Sequence, residues 1–204
     1  MSTMKNTILI GAAILTMLSV QAQDIKSSLD AAQTAYAANE SLQARENLQQ
    51  SLIDLNNLIG KEILALMPSS LGSQAVVSDK DNVMGGTGFA GLLVNRTYSS
   101  EKTKEVNITL ANESPMIAMV NAFLSNPMLS GLMGSQTGQK KVTIHGYKGM
   151  LERSDDEGSP LRFTINVPLD DSLYTFESIG FDSEQEVINM AQQIPLDKIA
   201  SFLK

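Results

Sequence analysis

Between residues 24 and 67, apolar side chains recur every three or four positions, which is the spacing of an amphipathic helix. The phase of this pattern breaks at Asn39-Glu40-Ser41, and Pro68 follows the last apolar position. The pattern therefore predicts two antiparallel helices, 24–38 and 41–67, in a helical hairpin over residues 23–67. The first apolar stripe consists of Ile25, Leu29, Ala32 and Tyr36, and the second of Leu48, Leu52, Leu55, Ile59, Ile63 and Leu66.

After the hairpin, the pattern changes to short runs rich in Val, Ile, Thr and Tyr, which favour strands. Residues 68–87 are rich in Pro, Ser, Gly and charged residues, so they predict a linker. Ser183 and Glu186 form a capping box at the start of one later helix. The predicted strands are 88–100, 104–112, 141–152, 161–168 and 173–180, and the predicted helices are 114–126, 183–194 and 195–203.

This order of elements predicts an α+β fold written αα-ββαβββα. Strands joined by short turns imply a mostly antiparallel five-stranded sheet, with helices covering a face. The predicted organisation is a signal peptide over 1–22, the helical hairpin over 23–67, the linker over 68–87 and an α/β sandwich domain over 88–204.

Residues 88–203 resemble the PsbP-like α/β sandwich, a fold of extrinsic photosystem proteins and of assorted exported bacterial proteins. The stretches that carry the resemblance are "KVTIHGYKGML", "FTINVPLDDSLYTFESIG" and "SEQEVINMAQQI". The resemblance implies a binding or assembly role and no shared catalytic residues.

Residues 35–52 resemble part of one tetratricopeptide-type helical hairpin, with Ala35-Tyr36, a turn, and then Ala44 and Leu52. The chain has one copy, and Asn39 stands where such repeats usually have a glycine. A lone helical pair cannot form the stacked groove of these arrays, so the sequence favours a hairpin packed on its own sheet.

The first 22 residues have the layout of a secretory signal peptide. Lys5 precedes an apolar run from Thr7 to Val20, and Val20-Gln21-Ala22 is a small-residue cleavage site. The apolar run is shorter than the roughly 20 residues of a spanning helix. We therefore expect a periplasmic or secreted protein, cleaved near Ala22, with no transmembrane segment after signal cleavage.

Composition narrows the function classes further. The chain has no cysteine, and its net charge is −7. Removal of residues 1–22 takes away Lys5, which leaves 14 basic against 22 acidic side chains and a charge of −8. An acidic chain without a basic cluster is a poor match for nucleic acid, because phosphate contacts need a positive surface.

Gly86, Gly88 and Gly91 match the G-x-G-x-x-G pattern of dinucleotide sites. Such a site needs a buried strand before the first glycine and a helix after the last. Here a polar segment precedes the glycines and a strand-favouring run, Leu92-Leu93-Val94, follows them. The glycines are therefore interpreted as a tight entry or bulge beside the sheet, and no cofactor is predicted.

Catalytic and metal sites have little support in the sequence. His145 is the only histidine, and with no cysteine a zinc site would need carboxylates for its other ligands. No G-x-S-x-G element is present. We therefore predict that the protein is not an enzyme and that it has no metal site. His145 is read as a strand residue that could share a polar face with Arg96 and Arg162.

Apolar residues around the helix 114–126 give the candidate contact site. Four of the 11 methionines fall within 18 residues, and Met-rich segments adapt to varied partners. Packing on the sheet is the alternative for the helix itself, whereas the loop 127–139 presents apolar residues among Gly and Ser. The candidate residues are Met116, Val120, Phe123, Leu129, Leu132 and Met133.

Two functions remain open. The first is a non-enzymatic interaction or assembly module that binds an unknown envelope protein through exposed apolar residues of the hairpin and the loop 127–139. The alternative is a carrier or sensor of a small apolar molecule held between the sheet and the helix 114–126. The predicted cavity of the carrier is lined by Met116, Val120, Phe123, Ile165 and Phe176.

Overall fold

Nine strands form an open antiparallel sheet in the computed structural model, which describes residues 24–87, 91–101, 104–126, 128 and 138–203. The strand order is β1-β2-β4-β5-β9-β8-β7-β6, and β3 pairs with β4 beside β2. The α+β class and the antiparallel sheet are confirmed, but five was the wrong number of strands. The strands are β1 (Ser70–Leu71), β2 (Gln74–Val76), β3 (Asn82–Gly85), β4 (Leu92–Glu101), β5 (Lys104–Asn112), β6 (Gln139–Ile144), β7 (Tyr147–Ser154), β8 (Arg162–Leu169) and β9 (Ser172–Ile179).

Three of the additional strands lie in residues 68–87, where the sequence predicted a linker. β1, β2 and β3 are two to four residues long, too short to show an alternating pattern. β2 and β3 form because β4 offers a long edge: β2 pairs with Tyr98 and Ser99, and β3 pairs with Leu92 to Asn95. β1 then pairs with β2. Pairing with a distant strand, and not local propensity, makes this segment part of the sheet.

The fourth additional strand comes from residues 141–152, which were predicted as one strand and form the β6–β7 hairpin. His145 and Gly146 make the turn with φ values of 48° and 83°. Two consecutive positive φ values characterise the tight turns that suit antiparallel hairpins. His145 therefore lies in a turn, and its predicted place on a strand is wrong.

The helices agree closely with the sequence pattern. Glu186 donates its backbone N–H to Ser183 Oγ at 3.3 Å, which confirms half of the predicted capping box. Asn39, with a φ of 63°, occupies the left-handed turn of the helical hairpin, a conformation that Asn tolerates better than most residues. The helices are α1 (24–37), α2 (Ser41–Leu66), α3 (Met116–Ser125), α4 (Glu184–Ala191) and α5 (Leu196–Ser201), with a 3₁₀ turn at Ser78–Lys80.

The sheet separates two clusters of buried side chains. Successive residues of a strand point to opposite faces, so Leu151 lies in the main core and its neighbour Met150 in a smaller cluster. The main core holds residues of α2, α4 and α5, and we call this side of the sheet the core face. The smaller cluster packs α3 on the other side, the outer face, through Val120, Phe123, Met150 and Leu173.

Helix α2 approaches the sheet closely enough to contact its backbone. Gly60 lies against Val83, Leu92 and Val94, and Gly85 lies against the carbonyl oxygen of Ile53. Asn57 Oδ1 accepts the backbone N–H of Gly85 at 2.7 Å. A glycine at each side of the contact leaves room for this approach.

Asn56 connects α2 to the glycine segment that resembled a dinucleotide motif. Its Nδ2 donates to the carbonyl oxygens of Gly86 and Gly91 at 3.0 and 2.7 Å. Gly88 lies outside the described residues. Strand β3 ends at Gly85 and strand β4 begins at Leu92, and the two strands pair there. Gly86 and Gly91 therefore lie at the end of this strand pair, where they anchor a helix to the sheet.

We expect Gly85→Ala to destabilise the protein by about 1–3 kcal/mol, because the new Cβ would clash with the Ile53 carbonyl oxygen and α2 would have to move. The measurement is the free energy of unfolding from denaturant titration. Ser159→Ala, at an exposed turn position, is the control and should change that free energy by less than about 0.5 kcal/mol. Equal stability of the two variants would show that α2 does not approach the sheet this closely.

Candidate interaction surface

One side of α2 carries apolar residues that the protein leaves exposed. Leu48, Leu52 and Leu55 are spaced by four and three positions and have 53%, 46% and 42% of their surface exposed. Ile59 continues the spacing and is already partly buried against the main core. We call these four residues the leucine stripe. The adjacent side of α2 holds the residues that face the sheet, among them Gly60 and Ile63.

Helix α1 extends this apolar surface. Asp24 shares a surface depression with Asp54, Asn57 and Lys61, so α1 runs antiparallel along α2. The buried small residues Ala32, Ala35, Ala44 and Ser51 mark the sides on which the two helices face each other. At about 100° per residue, Leu29 and Tyr36 then project on the same side of the hairpin as the leucine stripe. They have 46% and 75% of their surface exposed.

This combined surface, which we call the hairpin face, is a cluster of exposed apolar side chains on neighbouring helices. Surface leucines are common singly, but a cluster at helical spacing marks an interaction site in many soluble proteins. The expectation that apolar residues of the hairpin are exposed is confirmed. The hairpin face consists of Leu29, Tyr36, Leu48, Leu52, Leu55 and Ile59.

The candidate contact residues on α3 have different environments. Val120 and Phe123 are buried on Met150 and Leu173 and stabilise the fold. Met116 lies at the surface with 42% exposure. The remaining three candidates, Leu129, Leu132 and Met133, lie outside the described residues.

The five residues predicted to line a carrier cavity do not come together. Ile165 and Phe176 pair across β8 and β9 and lie in the main core on the core face. Helix α3 packs on the outer face, so the sheet separates Val120 and Phe123 from them. The sequence could not place these residues because it does not say which side of a strand each helix covers.

The predicted polar face of Arg96, His145 and Arg162 does not exist as one surface. Arg96 lies on the core face beside α2, whereas Arg162 lies on the outer face and forms an ion pair with Glu177 at 3.3 Å. His145 lies in the β6–β7 turn, where its Nε2 is 2.7 Å from the backbone oxygen of Gln192. Gln192 in turn donates from Nε2 to the Thr143 carbonyl oxygen, so His145 helps to dock this hairpin on the end of α4.

Arg96 joins three parts of the fold. Its guanidinium forms a two-point ion pair with Asp81, with N–O distances of 3.0 and 2.6 Å. The same group donates to the carbonyl oxygens of Leu64 and Met67 at 2.7 and 3.3 Å. Burial lowers the pKa of Arg96, but the hydrogen bonds and charge of Asp81 outweigh it and raise the pKa overall. Arg96 thus caps the end of α2 and fixes it to β4.

The outer face carries pairs of Thr and Asn side chains, which were not among the predicted site residues. Thr97 donates to Asn107 at 2.9 Å, and Thr109 donates to Asn95 at 2.8 Å. Each pair bridges neighbouring strands, and Thr175 with Asn166 repeats the arrangement at 2.8 Å. The sequence shows this pattern as Thr or Asn at alternate positions of "VNITLAN" and "FTINV". These hydrogen bonds stabilise strand pairing.

The described residues contain no group of three or more His, Asp or Glu side chains able to hold a metal ion. Within the same residues, no helix is both long and apolar enough to cross a membrane. Comparison with known proteins gave no match to a protein family, a curated protein or a solved structure. The PsbP-like and tetratricopeptide-type resemblances therefore stay predictions.

We expect Arg96→Met to destabilise the protein by about 3–5 kcal/mol, because it leaves the largely buried Asp81 carboxylate without its partner. Arg162→Met is the matched control. Its ion pair with Glu177 is half exposed, so its loss should cost less than about 1 kcal/mol. Denaturant unfolding of both variants measures the difference, and similar losses would contradict the structural role of Arg96.

The raised pKa of Tyr98 leads us to expect that the free energy of unfolding falls at alkaline pH. Burial, with a smaller contribution from the Asp81 charge, raises its pKa from about 10 to about 12. Its hydroxyl donates to the Pro68 carbonyl oxygen at 2.9 Å. Because the unfolded chain releases this proton first, the stabilisation is complete below pH 10 and is lost as the pH rises from about 10 to about 12.

The measurement for Tyr98 is the denaturant midpoint between pH 9 and pH 11.5. The denaturant midpoint should fall less steeply with pH in Tyr98→Phe than in the unsubstituted protein. Tyr98→Phe should also have the lower midpoint at pH 9, because it lacks the hydrogen bond to Pro68. Tyr36→Phe, at an exposed position, should leave the decline unchanged. Parallel declines in Tyr98→Phe and the unsubstituted protein would contradict this account.

Proposed function

We propose that the protein is an exported, non-enzymatic interaction or assembly module of the bacterial envelope, and that the hairpin face is its contact surface. The observation that carries this proposal is the leucine stripe. Three leucines, each about half exposed, lie at helical spacing on a helix whose adjacent side is packed on the sheet. Such a surface is stabilised by covering it with another apolar surface.

The stripe is also held in a fixed orientation, which favours binding. Asn56, Asn57 and Arg96 connect α2 to the sheet by hydrogen bonds. A rigid surface loses little conformational freedom when a partner binds, so more of the apolar contact energy appears as affinity. A helix face of this kind suits a partner that presents an apolar helix or groove.

Export is supported by the sequence of residues 1–22 and by the composition. The leader has the basic start, apolar run and small-residue end of a secretory signal. The absence of cysteine from the chain is compatible with an oxidising compartment, because no thiol is present to mispair. The acidic charge disfavours nucleic acid and anionic membrane surfaces as partners.

The test is photo-cross-linking in the exporting cell, with a photoreactive side chain at Leu52. We expect a discrete adduct. Adding Leu48→Gln and Leu55→Gln should reduce its yield, because covering the exposed half of each leucine is worth about 1 kcal/mol, or about 30-fold in affinity for two. Each leucine is also about half buried, so each substitution should lower the free energy of unfolding by up to about 1 kcal/mol, which denaturant titration of the purified variant measures.

A photoreactive side chain at Met119 is the control for this experiment. Met119 is 46% exposed on α3, away from the hairpin face. It should give no discrete adduct. An adduct at Met119 together with none at Leu52 would contradict the proposed contact surface.

A further inference from the structure

We infer that the partner on the hairpin face is a second copy of this chain, with the two α2 helices paired antiparallel about a two-fold axis. The inference rests on the proposed function, since it names the occupant of the same surface. Three observations carry it: the spacing of the apolar positions, the charges at the two ends of the stripe, and the extent of the hairpin face.

The spacing of the leucine stripe has the symmetry that self-pairing requires. The apolar positions are spaced by four, three and four residues, as in the line of contact between two paired helices, which we call the seam. These positions are Leu48, Leu52, Leu55 and Ile59. A two-fold axis midway between Leu52 and Leu55 places Leu52 opposite Leu55 of the second copy. The same operation places Leu48 opposite Ile59. Every apolar position of the stripe then meets another apolar position.

Charges at the next seam positions select the antiparallel orientation. Arg45 precedes Leu48 by three residues, and Glu62 follows Ile59 by three. The same two-fold axis places Arg45 of each copy opposite Glu62 of the other, so two ion pairs close the ends of the seam. A parallel pair would instead place Arg45 against Arg45 and Glu62 against Glu62, which is repulsive.

Neither charge has an ion-pair partner within the described part of the chain. Among the residues that the structure describes, Arg45 and Glu62 form no ion pair with any other side chain. The positions that flank the seam between them are Gln49, Ser51, Asn56 and Leu58. None carries a charge, so they oppose neither orientation. Orientation therefore depends on Arg45 and Glu62.

The extent of the hairpin face sets the strength of the dimer. Residues 45–62 of α2 span about 27 Å, and residues 25–36 of α1 span about 18 Å. With a width of about 10 Å per helix, the two contribute roughly 450 Å² of projected area per copy, or about 900 Å² in total. Specific interfaces start near about 1,000 Å², so we expect a reversible dimer. Two hairpins packed in this way form a four-helix bundle.

Charge exchange tests the pairing on the processed protein recovered from the exporting cell. Sedimentation over a range of concentrations should show a monomer–dimer equilibrium. Arg45→Glu turns both end pairs repulsive and should weaken dimerisation about tenfold, and Arg45→Glu with Glu62→Arg should restore it. Lys148→Glu makes the same charge change on an exposed strand position and should have no effect. A monomer throughout, or a dimer insensitive to Arg45→Glu, would overturn the inference.

Disulfide trapping tests the orientation, since the chain has no cysteine of its own. A mixture of Arg45→Cys and Glu62→Cys chains should form a disulfide between unlike chains and keep one Arg–Glu pair. Arg45→Cys alone should not cross-link, because its two copies would lie about 25 Å apart along the seam. Cross-linking of Arg45→Cys alone would overturn the antiparallel pairing.

The photo-cross-link at Leu52 separates failure of this inference from failure of the proposed function. An adduct with the mass of two chains supports both proposals. An adduct with a different protein, from a chain that sediments as a monomer, overturns the self-pairing and leaves the interaction module standing. The absence of any adduct at Leu52 counts against both.

Discussion

The close approach of α2 to the β3–β4 edge of the sheet is the constraint on which the rest of the structure depends. Gly60 and Gly85 leave room for it, and Asn56 and Asn57 satisfy backbone groups of the β3–β4 hairpin. Arg96 then fixes the end of α2 by binding its last carbonyl groups. The contact does two things at once: it closes one side of the main core, and it fixes which side of the helical hairpin stays exposed.

The fold was predictable where its cause is local. Helical spacing located α1 and α2 within a residue or two, and the capping serine at 183 located the start of α4. Prediction from the sequence failed where an element depends on pairing with a distant strand or on an unusual backbone conformation. β2 and β3 exist because β4 pairs with them, and β1 exists because it pairs with β2. The β6–β7 turn depends on a positive φ at His145 that no apolar pattern reveals.

In the candidate site, too, the local features were predictable and the tertiary ones were not. The apolar positions of α2 were predicted, but periodicity alone treated Leu48 and Ile63 as members of one stripe. The structure separates them: Ile63 is fully buried in the main core and Leu48 is half exposed. Likewise, Arg96 and Arg162 both lie on strands, yet they face opposite sides of the sheet. Which face a strand residue occupies follows from the covering helices, and that information is tertiary.

A helix with two apolar sides links structure to the proposed role. One side of α2 holds the fold together, and the hairpin face beside it is available to a partner. The measurement that tests this claim most directly is thiol labelling of Leu52→Cys in intact cells and in the diluted purified protein, with Met119→Cys as reference. The account predicts that Leu52→Cys is protected in the cell and reactive after dilution, while Met119→Cys reacts equally in both. Equal reactivity of Leu52→Cys in the two conditions would contradict it.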